Sequence, residues 1–249
     1  MIGLASTLHD PQGVMRELMA QTLPDLVRLY GKMVIAVTEA TSAEITTLLD
    51  QHPTIIQIVG SRYVGESRLN AIRGGMTHDE LTHFHYCDFD RLIHWWLHYP
   101  DELQQTLNTI QQQDGYIALG RTQRAFETHP VVQREPEYMT NRVFSWVFGE
   151  QEKVWDVVAG SCGMGRISAE CLLQHSIEPT NATDCEWPML IARCTAHPVT
   201  FIETEGLEFE TPTFFGQQVH QTSFNADNWL GRVRLAKDSL EAAMRVARL

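Results

Sequence analysis

Asp88-Phe89-Asp90 stands at the end of the apolar run Leu81-Thr82-His83-Phe84-His85-Tyr86-Cys87 and is followed at once by Arg91. In an extended segment residues i and i+2 face the same side, so the spacing predicts two carboxylates aimed at one point. Like charges that close repel unless a cation or a basic group lies between them. A divalent cation pressed against a diphosphate meets that demand, and oxygen donors suit Mg²⁺ or Mn²⁺. The plainer alternative is a solvated strand end, or a cap for a helix starting near Leu92.

Other residues able to do chemistry are scattered along the chain. Asp184-Cys185-Glu186 opens a helical pattern, where acids are favoured by the helix dipole or where one serves as a general base toward a hydroxyl. Arg68 and Arg62 either pair with Glu66, Asp79 and Glu80 at the surface or present a planar donor fork to phosphate. Gly160-Ser161-Cys162-Gly163-Met164-Gly165-Arg166 reads as a turn between strand and helix. Its glycines follow G-x-x-G-x-G, not the dinucleotide order G-x-G-x-x-G. His94 and His98 have the i, i+4 spacing of a helical zinc site, but Trp95 stands where that motif carries its glutamate. Aromatic packing accounts for them better, and His83 and His85 read as core histidines.

The elements that must position these groups alternate between strand and helix. Strands are expected at Ile2 to Leu8, Lys32 to Thr38 and Thr54 to Val59. Helices are expected after His9-Asp10-Pro11, from Ser42 to Leu49, and from Glu66 to Arg73. Apolar strands joined by helices imply a parallel sheet covered on both faces, with ligands outside the carboxyl ends of the strands. Asp88 and Asp90 fall at such an end. Farther on, Asp101 to Gln113 reads as a helix, Tyr116 to Gly120 as a strand, and His129 to Asn141 as a mobile or acceptor-facing loop. Ile167 to His175 is helical, Val199 to Glu205 a strand, and Trp229 to Leu249 an amphipathic packing helix whose minority reading is a homodimer seam.

Composition narrows the classes. The chain has 249 residues, 43% of them apolar, enough for a full core. A formal charge of −12 argues against a nucleic-acid binder. No apolar run approaches the roughly 20 residues of a membrane span, and the N-terminus lacks the basic region of a signal peptide. Five cysteines without a C-x-x-C pair point to free thiols in a reducing cytoplasm.

In this order the motifs resemble those of a GT-A-type glycosyltransferase, the nucleotide-diphospho-sugar transferase fold. The resemblance spans most of the chain, though the match is diffuse. It implies a three-layer α/β/α fold with a mostly parallel central sheet in one domain, residues 1–98 forming a Rossmann-like nucleotide-binding half and 99–249 an acceptor half. Asp88-Phe89-Asp90 looks like the D-x-D, and Ser67-Arg68-Leu69-Asn70-Ala71 like the Arg-Asn segment, with one residue inserted between Arg68 and Asn70. The resemblance implies a nucleotide-diphospho-sugar donor bound by Glu39, Arg68, Asp88, Gly160 and Ser161. It implies a Mn²⁺ or Mg²⁺ ion held by Asp88, Asp90 and His220, and an acceptor hydroxyl served by Asp184 or Glu186. An inverting enzyme would need that base, whereas a retaining one would use the acids for positioning. A sugar-phosphate nucleotidylyltransferase is the second enzymatic reading, and an idle nucleotide-sugar-binding protein the non-catalytic one.

Overall fold

The computed structural model describes residues 1–216 and 225–249. Its strands are β1 (Ile2–Leu8), β2 (Lys32–Val37), β3 (Ile55–Val59), β4 (His83–Cys87), β5 (Tyr116–Arg121), β6 (Ser161–Gly165) and β7 (Val199–Thr204). The helices are α1 (Arg16–Leu29), α2 (Ala43–Asp50), α3 (Val64–Met76), α4 (Phe89–His98), α5 (Pro100–Gln111), α6 (Gln123–Glu127), α7 (Val131–Phe148), α8 (Arg166–His175), α9 (Thr183–Cys194), α10 (Thr211–Phe215) and α11 (Ala226–Ala247).

One seven-stranded sheet runs β3-β2-β1-β4-β6-β5-β7. Every pairing is parallel except those of β6, which is antiparallel to both β4 and β5. Side chains alternate across the sheet and feed two cores. Leu4, Ile35, Ile117 and Leu119 pack with Leu23, Leu26, Ile45, Trp95 and Ile110 beneath α1, α2, α4 and α5. On the other face Ala5, Val34, Phe84, Tyr86 and Met164 pack with Ile72, Phe144, Leu172, Trp187 and Val246 from α3, α7, α8, α9 and α11. This is the three-layer α/β/α arrangement with a mostly parallel sheet. Among the described residues, no helix is long and apolar enough to cross a membrane.

Two expectations need correction. The expected turn at Gly160 to Arg166 is the central strand β6, and its glycines make room for close neighbours. A Cβ on Gly163 would collide with Ile110, and one on Gly165 with the Asp114 carbonyl. The expected loop at His129 to Asn141 is largely α7. Its helical period is masked because Glu137, Thr140 and Asn141 are polar yet turned inward. Asn141 donates to Asp156 at 2.6 Å and accepts from the Val157 amide at 3.0 Å.

Asp156 is also gripped by Arg121 at the end of β5, whose Nε and Nη2 donate at 2.7 and 2.9 Å. Glu137 lies 2.9 Å from the same guanidinium and 3.6 Å from Arg232 of α11. This buried network ties α7 and α11 to the sheet. On the other flank the Gly65 amide donates to the Pro179 carbonyl at 2.9 Å, which brings the start of α3 against the segment entering α9. A side chain at Gly65 would collide with the Glu178 carbonyl.

Removing one partner of a buried ion pair leaves an uncompensated charge and costs about 3–5 kcal/mol, whereas exposed pairs contribute about 1 kcal/mol or less. Arg121→Met is therefore expected to lower stability by about that larger amount in urea denaturation. Arg124→Met, at a side chain 51% exposed although bound to Glu205 and Glu208, is expected to lose only the smaller amount. Equal losses would show that the Arg121 network is not what holds α7 down.

Candidate active site

β4 ends at Cys87, and α4 starts at Phe89 with Asp88 as its N-cap residue. Asp90 thus belongs to the first helical turn. A helix advances about 100° per residue, so the two aspartates diverge where an extended chain would have aligned them. The expected convergence of both carboxylates on one point is corrected accordingly. Asp88 lines one cleft and Asp90 a second, on either side of the first turn of α4.

The first cleft, a narrow space of about 70 Å³, is lined by Arg68, Asp88, Arg91, Gly160, Asp184 and Arg232 among others. Asp88 Oδ1 accepts from the Tyr86 hydroxyl at 2.5 Å and from Thr7 at 3.2 Å. Its Oδ2 lies 3.5 Å from Arg68. Gly160 backs this carboxylate in a left-handed conformation (φ 69°), and a Cβ there would stand 2.7 Å from Asp88 Oδ2. Conformation and space both select glycine.

Arg68 sits beneath the cleft with its side chain only 2% exposed. It donates to Thr183 at 2.9 Å and to Asp184, and its guanidinium lies 4.9 Å above the Tyr86 ring. Burial works against its charge, but Asp184, Tyr86 and Asp88 together hold its pKa above the usual arginine range. Asp184, in the first turn of α9, is pushed up to about 6 by burial. Arg68 pulls it back, and Asp88 pushes it further up.

The second cleft, about 280 Å³, lies between the loop after β1 (His9 to Gln12), Asp90, Glu210 and the phenyl rings of Phe214 and Phe215. Burial, then Glu210 and Asp88, push Asp90 up to about 7 against the pull of Arg91. The Arg91 amide donates to Asp90 Oδ1 at 2.8 Å. Arg91 spans the boundary, its Nη1 lying 3.9 Å from Glu210 Oε2.

The sequence candidates divide between these clefts and elsewhere. Arg68, Asp88, Gly160 and Asp184 come together, and Asp90 sits in the neighbouring cleft. Glu186 does not join them. It is buried on another face of α9, where it accepts from Ser176 at 2.5 Å, the Ile177 amide at 3.2 Å and Arg245 at 2.6 Å. It braces α8, α9 and α11, so its expected role as a base is corrected to a structural one. Ser161 points into the sheet core, bonded to His85 and the Tyr86 carbonyl at 3.0 Å each. Glu39 is exposed after β2, outside both linings. His220 lies outside the described residues.

Tyr86, Glu210 and Arg232 were not singled out. The alternation of Tyr86 with Asp88 was a usable signal. The Glu203-Thr204-Glu205-Gly206-Leu207-Glu208-Phe209-Glu210 run offers four acids with nothing local to choose among them.

Among the described residues, no three His, Cys, Asp or Glu side chains form a group that could hold a metal ion. A two-carboxylate set does fit a hard cation. Asp90 and Glu210 line the same cleft, and Glu210 Oε2 is buried with no hydrogen-bond partner among the described residues. Mg²⁺ is commonly held by one or two carboxylates plus substrate phosphates.

No protein-family model matches the sequence, and no curated protein matches it significantly. Solved structures are similar in fold. Glucosyl-3-phosphoglycerate synthase from Mycobacterium tuberculosis, in complex with Mn²⁺, UDP-glucose and phosphoglyceric acid, superposes with a TM-score of 0.57 at 9% identity. That alignment covers 100% of this chain and 80% of the other. The same enzyme with UDP gives 0.54 at 10% identity, over 94% and 80% of the two chains. The 4-diphosphocytidyl-2C-methyl-D-erythritol synthase of Anaerococcus prevotii gives 0.52 at 8% identity, over 95% and 98%. At these identities the likeness establishes the nucleotide-diphospho-sugar transferase fold alone.

The raised Asp90 has a consequence for stability. The folded protein keeps this proton up to about pH 7, while an ordinary aspartate releases it near 3.8. Across that window the folded state binds more protons, so stability falls as pH rises. Asp90→Asn is expected to be more stable than the parent at about pH 8 and to show a flatter dependence above about pH 4. Asp184 leaves it a weaker slope of the same sign up to about 6. Urea midpoints measured across this range check it, and parallel curves for the two proteins would refute it.

Proposed function

We propose that the chain is a metal-dependent glycosyltransferase that moves a sugar from a nucleotide-diphospho-sugar to an acceptor hydroxyl. The observation that carries this reading is the position of Asp88 and Asp90. They stand at the carboxyl end of β4 beside β1, where the strand order reverses, and open sheets bind ligands in the crevice at such a switch point. The second cleft lies in that crevice and offers the phenyl rings of Phe214 and Phe215 with the carboxylates of Asp90 and Glu210, suited to a nucleoside and to a cation-bound diphosphate, while Asp10 in its lining is occupied by backbone amides.

In this reading Asp90 and Glu210 hold the Mn²⁺ or Mg²⁺ ion, which when bound neutralises charge on the departing diphosphate. Arg68 fixes Asp88 and Asp184 at the first cleft, where the acceptor lies between α7, α9 and α11. Asp184, titrating at about 6, accepts the acceptor's proton at neutral pH. A base so placed implies inversion at the transferred carbon. The free thiols Cys87, Cys162, Cys171, Cys185 and Cys194 accord with a cytoplasmic setting.

The nucleotidylyltransferase reading is less well supported. Such an enzyme would hold a triphosphate on the loop after β1. Here the buried Asp10 already takes the Val14 and Met15 amides at 3.0 and 2.9 Å, so they are not free to receive one.

A thermal-shift panel of UDP-, GDP- and ADP-sugars, with and without Mn²⁺, tests the assignment. A ligand at about 100 times its Kd adds about 2.7 kcal/mol of stability. Asp90→Asn is expected to lose the metal-dependent part of that gain. Sugar-nucleotide turnover is expected to rise with pH through about 6 and to fall by about 100-fold or more in Asp184→Asn. Failure of every nucleotide to shift the melting point would end the donor assignment.

A further inference from the structure

A loose ion pair joins the linings of the two clefts beside the first turn of α4. Arg91 lines the first cleft and Glu210 the second, and their charged ends stand 3.9 Å apart. That separation is beyond hydrogen-bond reach. Arg91 Nη1 and Glu210 Oε2 are both buried with no hydrogen-bond partner among the described residues. A buried pair without hydrogen bonds recovers little of its desolvation cost, so each group gains by meeting a better partner. Arg121 repels Arg91 from one side, while Asp88, Asp90 and Glu210 attract it. Arg91 directly follows Asp90, at the crevice where strand order reverses.

We propose that Arg91 is the diphosphate-binding residue of this site, kept on Glu210 until a ligand arrives. On binding, the guanidinium passes from the carboxylate to two phosphoryl oxygens, a geometry its planar fork fits. Glu210 is thereby freed to serve with Asp90, the pair that would hold the cation, and parting the ion pair opens a way between the two clefts. Glu210 is therefore an internal competitor, its carboxylate standing where a phosphoryl group will stand. The inference rests on the donor reading above and adds which cation grips the donor and what it must let go.

The test is calorimetric titration of UDP and of inorganic pyrophosphate into the wild-type chain, R91K, R91Q and E210Q, first without metal and then with Mn²⁺. Thermal melts establish that each variant is folded. Losing a charged hydrogen-bonding partner corresponds to about 10- to 100-fold in affinity. R91Q is expected to weaken both ligands by that amount, and R91K by less. E210Q is expected to tighten them by about tenfold without metal, since the competitor is gone. Opposite signs for the two positions are the signature, because a merely structural pair would move both variants together or neither.

If the wild type binds and R91Q binds equally well, or E210Q weakens metal-free binding, the inference is overturned while the donor assignment stands. If binding needs Mn²⁺, the two Arg91 variants decide, and if R91Q does not fold, R91K and E210Q decide. If no diphosphate binds the wild type under either condition, both readings fall together.

Discussion

A buried cation organises this molecule. Arg68 sits under the carboxyl edge of the sheet with its guanidinium out of water, and such a charge persists only with acids in contact. Asp88 from the end of β4 and Asp184 from the first turn of α9 supply them. Tyr86 gives the guanidinium a ring to rest on and gives Asp88 a hydroxyl. The Gly65 amide, fastened to the Pro179 carbonyl, fixes the approach of α3 to α9 and so the distance over which Arg68 must reach. Two acids remote in sequence are held in one cleft because the arginine between them has nowhere else to go.

Around that centre, chemically identical groups meet different environments. Asp184 and Asp90 are both half-buried aspartates, yet the first leans on a guanidinium and the second faces a glutamate. Glu186 shares a helix with Asp184 but stays out of the cleft, because the turn of the helix carries it to Ser176 and Arg245.

The central sheet was legible because its strands are short, apolar and β-branched, with polar turns between them. Asp88, Arg68, Gly160 and Asp184 were legible as chemistry-bearing types at strand ends and helix starts. What local pattern could not convey was direction. The period-2 rule held through Cys87 and failed one residue later, where the helix begins and swings Asp90 into a different cleft. Gly160 to Arg166 read as a turn because glycine is frequent in turns, whereas here it admits Ile110 and the Asp114 carbonyl against a strand. Glu210 was invisible because its meaning comes only from Arg91, far away in the chain.

The antiparallel strand β6 bears on how this chain can be divided. It belongs to the latter part of the sequence yet lies directly against β4, the strand that ends at Asp88. A fragment stopping after α4 would retain β1 to β4 but leave the whole β4 edge bare, with its amides and carbonyls open to pairing with another molecule. Unprotected flat edges of this kind recruit neighbours. The portion from β1 to α4 is thus not a module that could be lifted out, duplicated or fused elsewhere, and any rearrangement of the chain must carry β6 along with it.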